Sequence, residues 1–144
     1  FGDLLIGVTG FFRDPEAFQT LEQQLVPALF ANRPAGSVVR VWSVGCSSGE
    51  EAYSIAILLE ECMEALKQRY TVQVFATDID NRAITIARAG LYPASVAADI
   101  SPPRLARFLP PKTAAGIAST SAFATCWSFP SRMWSGIRRS PDWT

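Results

Sequence analysis

The chain has 144 residues, 49% of them hydrophobic and 18% charged, which is enough apolar material for one core and too little length for two domains. Thirteen basic residues balance 13 acidic ones, which argues against a protein held on nucleic acid mainly through phosphate contacts and leaves room only for a local basic patch. Histidine is absent, which removes the commonest metal ligand and the commonest general base.

Asp14-Pro15 is a helix start, a capping acid followed by proline at the first helical position. Phe18, Leu21, Leu25 and Leu29 then recur at helical spacing to about Ala31, with Pro27 expected to kink the helix or end it early. After a loop at residues 32–36, Val38 to Val44 is rich in β-branched residues and predicts a buried strand. Gly45 to Gly49 is a tight turn of small residues. Glu50 to about Tyr70 predicts a long helix with Ala52, Ile55, Ala56, Leu59, Met63 and Leu66 on one side. Val72 to Thr77 predicts a second strand closed by Asp78-Ile79-Asp80, and Asn81 to Ala89 a second helix stopped by Gly90. Strands alternating with helices imply an α/β fold, Rossmann-like and partial, with parallel strands joined by right-handed crossovers.

Two features of this order define a candidate crevice. The turn after the first strand lets the backbone approach a ligand, and the helix behind it presents free N–H groups. Asp78 follows the second strand and can accept two hydrogen bonds from ribose hydroxyls. The turn has glycine only at positions 45 and 49, so it is not Gly-x-Gly-x-x-Gly. No Gly-Lys-Ser/Thr follows, so it is not a phosphate loop either. Glu50 and Glu51 would repel a pyrophosphate; they either cap the helix or accept from an ammonium group. A ligand with a ribose and a cationic amino-acid end, such as S-adenosylmethionine, fits this better than a dinucleotide. Cys46 is expected to be a small packed residue rather than a nucleophile, and Phe11, Phe12 and Tyr53 to be core aromatics.

Four blocks in order carry a family resemblance: Gly-Val-Thr-Gly-Phe-Phe-Arg-Asp-Pro-Glu-Ala-Phe (Gly7 to Phe18), Val-Trp-Ser-Val-Gly-Cys-Ser-Ser-Gly-Glu-Glu-Ala-Tyr-Ser-Ile-Ala (Val41 to Ala56), Phe75 to Asp80 with Ala87 to Tyr92, and Asp99 to Pro102 with Leu105 to Phe108. Over about residues 4–110 the chain resembles the chemotaxis receptor glutamate O-methyltransferases, the CheR family, and looks closest to fusion proteins that join methylesterase and methyltransferase modules. The resemblance implies S-adenosylmethionine as cofactor, S-adenosylhomocysteine as product and the cytoplasmic region of a chemoreceptor as partner. It implies that Thr9 and Arg13 enclose the cofactor near the transferred methyl, with Arg13 the catalytic candidate. Gly45, Cys46, Ser47 and Gly49 would form the cofactor loop. Glu50 would contact the amino-acid portion, Asp78 the ribose, and Ile79 the adenine. Taken singly, Arg13 beside Asp14 reads as a surface ion pair and Thr9 as a turn residue. The alternative function is a non-catalytic nucleotide- or partner-binding fragment.

The departures are as informative. The family's later Cys-Arg-Asn-Leu-Leu-Ile-Tyr type of segment has no counterpart here, and the chain opens on Phe1 rather than methionine, so it reads as a fragment with little turnover of its own. A missing neighbour strand would leave an open hydrophobic edge prone to aggregation. Residues 1–112 read as the N-terminal part of a CheR-type domain and 113–144 as an atypical tail. That tail has only Arg132, Arg138, Arg139 and Asp142 as charges, yet it carries Trp127, Trp134 and Trp143. Read one base out of register, the codons of Gly116 through Phe129 permit Gly-Tyr-Arg-Ile-His-Lys-Arg-Ile-Arg-Asp-Met-Leu-Val-Phe, which resembles what the family has next. A single missing base near codon 112–113 would explain the tail. The alternative is a partner-binding tail with Trp and Arg anchors. Cys46, Cys62 and Cys126 suit neither a zinc site nor a disulfide framework, which points to a reducing, cytoplasmic compartment. No apolar run approaches the roughly 20 residues of a membrane helix.

Overall fold

A computed structural model describes residues 9–113, 116–118 and 127–128. The Asp14 carboxylate accepts the Ala17 N–H at 3.2 Å and Pro15 opens α1 (Pro15–Thr20), as the Asp-Pro signal requires. A π-helical stretch (Leu21–Leu25) and α2 (Val26–Phe30) follow directly. In a regular α-helix the Pro27 ring would press on the Gln23 carbonyl and offer it no N–H. The wider turn, with the Val26 N–H on the Leu21 carbonyl, carries the chain past this conflict, so the helical run continues to Phe30 rather than ending early. The turn also shifts the apolar stripe. Val26 and Phe30 are buried, whereas Leu25 is 53% exposed.

β1 (Val38–Val44) and β2 (Thr71–Thr77) pair in parallel from Val38–Thr71 to Val44–Thr77, connected through α3 (Glu50–Leu66). The strand expected from Val72 thus starts one residue earlier. Helix α3 stops four residues before Tyr70, because Lys67 takes a left-handed conformation (φ 53). Its N–H reaches the Glu64 carbonyl at 3.0 Å, and the Gln68 N–H reaches that of Met63 at 3.2 Å. This is a Schellman cap made without glycine. It frees Tyr70 to pack against Phe30, ring centroids 4.7 Å apart.

Beyond β2 come α4 (Asn81–Ala89), capped by Asp80 and stopped by left-handed Gly90, then β3 (Leu91–Pro93), a 3₁₀ turn (Ala94–Asp99) and α5 (Pro102–Phe108). β4 (Pro111–Thr113), β5 (Gly116–Ala118) and β6 (Trp127–Ser128) complete the described elements. β6 joins the other edge of β2 in parallel, giving the order β1-β2-β6, and the architecture is α/β with a parallel sheet. A second sheet, antiparallel in the order β3-β5-β4, was not expected; its strands are three residues each, too short to show a period. The low-charge tail, with Cys126, Trp134 and Trp143, lies outside the described residues except for 113, 116–118 and 127–128, and so do Gly7 and Val8.

One face of β1 and β2 is core: Val39, Val74 and Ala76 are no more than 2% exposed and pack with Ile57 and Leu59 of α3. The alternate residues Trp42 and Val44 are each 66% exposed, and among the described residues β1 has one strand neighbour. Helix α5 is fastened to α3 and to the π-helical stretch by Arg104, which bonds both oxygens of Glu61 and reaches Glu22 at 2.8 Å. Arg107 pairs with Glu64 beside it.

Candidate functional site

Parallel pairing in register brings the carboxyl ends of β1 and β2 together. The Thr77 carbonyl accepts from both the Gly45 N–H (2.7 Å) and the Cys46 N–H (3.0 Å), which bends the chain out of the strand, and the Gly49 N–H closes the turn on the Cys46 carbonyl at 2.9 Å. Gly45 (φ 70), Ser47 (φ 49) and Gly49 (φ 95) are all left-handed. The Ser47 N–H then donates to Asp78 Oδ2 at 2.7 Å, and the Asp80 N–H donates to Oδ1 at 2.8 Å. One donor on each oxygen leaves lone pairs on both, which sugar hydroxyls can use.

Glycine at 49 serves close packing rather than ligand approach. A Cβ there would sit 2.8 Å from the Ala87 Cβ and 3.1 Å from the Tyr92 hydroxyl. Tyr92 and Tyr53 brace this corner: the Tyr92 hydroxyl donates to the Ser48 carbonyl at 2.7 Å and that of Tyr53 to the Ala87 carbonyl at 3.0 Å.

A cleft of about 930 Å³ opens between the turn and the segment leading into α1, at the upper end of the range for ligand pockets. Thr9, Arg13, Gly45, Cys46, Ser47 and Asp78 all line it, so residues from three separated parts of the sequence face one hollow. Gly49, Glu50 and Ile79 are not among its described lining. Glu50 is 8% exposed and its carboxylate accepts from the Ser48 hydroxyl, while Ile79 is 71% exposed. Glu51 lines the cleft instead, its carboxylate accepting the Ser43 hydroxyl at 2.7 Å.

Residues absent from the sequence-derived site also contribute to the wall: Asp14, Pro15, Ala17, Phe18 and Leu21 from the first helix, Ile55 from α3, and Asp80. The signal for the helix residues was the Asp-Pro start directly after Arg13, which carries the same chain segment along the cleft. The described lining holds four carboxylates, Asp14, Glu51, Asp78 and Asp80, against one guanidinium, Arg13. Such a wall favours a ligand of positive charge and opposes a pyrophosphate.

Cys46 is 1% exposed on the floor of this cleft. Burial, then the Asp78 carboxylate, push its thiol up to about 11. It is therefore protonated at neutral pH and acts as a packed residue. Cys62 is raised in the same direction by burial alone.

The fold and the crevice define a nucleotide-cofactor domain with an acid at the second strand tip. Residues 7–125 match the CheR methyltransferase, SAM binding domain, and the chain belongs to that family, whose cofactor is S-adenosylmethionine. It is 41% identical over 106 residues to an uncharacterized 104.1 kDa protein of Rhodobacter capsulatus, a match covering 74% of this chain and 11% of that protein. It is 41% identical over 87 residues to the chemotaxis protein methyltransferase of Borreliella burgdorferi (59% and 31%) and 38% identical over 105 residues to that of Salmonella typhimurium (73% and 33%). The chain thus spans about a third or less of the length of these relatives. No described helix is long and apolar enough to cross a membrane.

Proposed function

We propose that the cleft binds S-adenosylmethionine and that the protein carrying this domain methylates glutamate side chains of chemotaxis receptors in the cytoplasm. The observation that carries this reading is the shared cleft of Asp78 and the Gly45–Ser47 turn, whose described lining holds four carboxylates and one guanidinium. In this reading Asp78 holds the ribose, Ile79 lies by the adenine, and the turn receives the amino-acid end with Glu50 and Gly49 shaping it from behind. Thr9 and Arg13 close over the methyl end, Arg13 orienting a carboxylate.

When bound, S-adenosylmethionine supplies a methyl group on a sulfonium sulfur. A glutamate acceptor with an ordinary pKa near 4.3 is already an anion at neutral pH, so the site needs no general base and no histidine. The protein's contribution is alignment of that carboxylate with the methyl group. The products are a γ-glutamyl methyl ester and S-adenosylhomocysteine. The methyltransferase names of the Borreliella and Salmonella relatives support this activity, and the 104.1 kDa relative supports a large multi-module parent protein. A division at residue 112, with a tail read out of register, belongs to the same proposal; the coding DNA should encode a family-like segment in the neighbouring frame, and a frame without one rejects the division.

Calorimetric titration separates the cofactor reading from a dinucleotide site. S-adenosylhomocysteine should bind saturably, NAD should not, and Asp78→Ala should weaken binding by about tenfold or more, the value of lost charge-assisted hydrogen bonds. Tight NAD binding would reject the reading.

A further inference from the structure

We propose that Tyr92 is a positioning residue of the cofactor turn: its hydroxyl fixes the Ser48–Gly49 peptide, and with it the bend that receives the amino-acid end of the cofactor. The inference rests on the cofactor reading above. Tyr92 belongs to β3, outside both strands that build the crevice, and is 3% exposed. Its ring stands edge-on to Phe11 (centroids 5.0 Å, 83°) and to Tyr53 (5.7 Å, 85°), which holds the hydroxyl in one place.

That hydroxyl is spent on one partner, the Ser48 carbonyl, at 2.7 Å. Glycine at 49 accepts either sign of φ, so the chain itself does not select the orientation of the peptide before it. Two bonds do: the Gly49 N–H on the Cys46 carbonyl, within the turn, and the Tyr92 hydroxyl on the Ser48 carbonyl, from outside it. Ser47, next along, carries the N–H that meets Asp78. Asp78 has a second donor in the Asp80 N–H, which does not depend on the turn. Loss of the Tyr92 hydroxyl therefore loosens the amino-acid end of the site and leaves the ribose acid held.

Tyr92→Phe keeps both ring contacts and removes only the donor. Titration of wild type and variant with S-adenosylhomocysteine and with adenosine, beside thermal melting and hydrogen exchange of peptides covering residues 45–51, tests the proposal. The variant should melt within a few degrees of wild type and exchange faster across the turn. It should bind S-adenosylhomocysteine about tenfold more weakly, with adenosine changed less than about twofold, as expected for one partly buried carbonyl left unpaired. Equal loss of both ligands, or a collapse in melting temperature, assigns the hydroxyl to folding and overturns the proposal. Unchanged S-adenosylhomocysteine binding by the variant overturns it alone. Wild type that binds no S-adenosylhomocysteine overturns the cofactor reading and this proposal together.

Discussion

The two walls of the cleft are built by different physics. The strand-tip wall, Gly45 to Ser47 with Asp78, is held by main-chain N–H groups on the Thr77 carbonyl and on the Asp78 carboxylate, all at 3.0 Å or less. The entry wall, Thr9 to Leu21, is held by side-chain contacts, most of them with distant elements. Phe11 packs on Tyr92, Phe12 packs on Phe18 and lies under the Arg104 guanidinium, and the Phe12 N–H donates to the Ser54 hydroxyl. A wall made of backbone bonds depends on conformation, so glycine and φ decide it. A wall made of side-chain contacts depends on partners far away in sequence, so long-range packing decides it.

The strand-tip wall should break most sharply at Gly49. Gly49→Ala combines a left-handed φ with a Cβ 2.8 Å from the Ala87 Cβ, so urea denaturation should show about 2–4 kcal/mol of lost stability. Gly36→Ala is the control: φ is 83 but nothing lies within 4 Å, and the cost should stay near 1 kcal/mol. Equal costs would mean that close packing against α4 and Tyr92 does not matter.

Arg104 tests the entry wall. Its guanidinium bonds Glu61 and Glu22 and covers Phe12, with 21% of the side chain exposed. Arg104→Ala should cost about 1–2 kcal/mol in urea denaturation after allowance for solvent screening, and should weaken S-adenosylhomocysteine binding about threefold through the loosened Thr9–Arg13 segment. A variant with lost stability and unchanged affinity would separate the entry wall from binding.

Two smaller effects sharpen the electrostatic side of the contrast. Because carboxylates outnumber the Arg13 guanidinium among the described residues lining the cleft, S-adenosylmethionine, with net positive charge, should lose more affinity on raising salt from about 0.05 to 0.5 M than neutral S-adenosylhomocysteine. Matching salt slopes would remove charge from the account. The Cys46 thiol, raised from 9.0 to about 11 by burial and Asp78, binds its proton more tightly in the folded chain than in the unfolded one. Its contribution is complete below about pH 9 and is lost as pH climbs through about 11, so stability should fall across that window and fall less in Cys46→Ala. Alkylation of Cys46 at pH 8 should also be slow beside a free thiol.

The same contrast explains what could be read from residues alone. The strand-tip wall was legible because its signals are local: β-branched runs, small residues between Gly45 and Gly49, and an acid directly after a strand. The capped start at Asp14 was equally local. The π-helical turn before Pro27 was not, because a proline announces a conflict without saying how the backbone resolves it. The end of α3 at Leu66 was missed because the left-handed residue there is Lys67, with no glycine to mark it. The antiparallel sheet and the Arg104 clasp lie further out of reach. Their partners, such as Glu61 and Arg104, are 43 residues apart and meet only once the chain has folded. Within the site, Glu50 and Glu51 are neighbours in sequence and only Glu51 faces the cleft, a distinction set by the helix phase at Gly49.

A crystal structure of this chain with S-adenosylhomocysteine bears most directly on the central claim. The ribose hydroxyls should lie on the Asp78 carboxylate and the homocysteine end against the Gly45–Ser47 bend. Ligand density elsewhere, or a ribose turned away from Asp78, would contradict it.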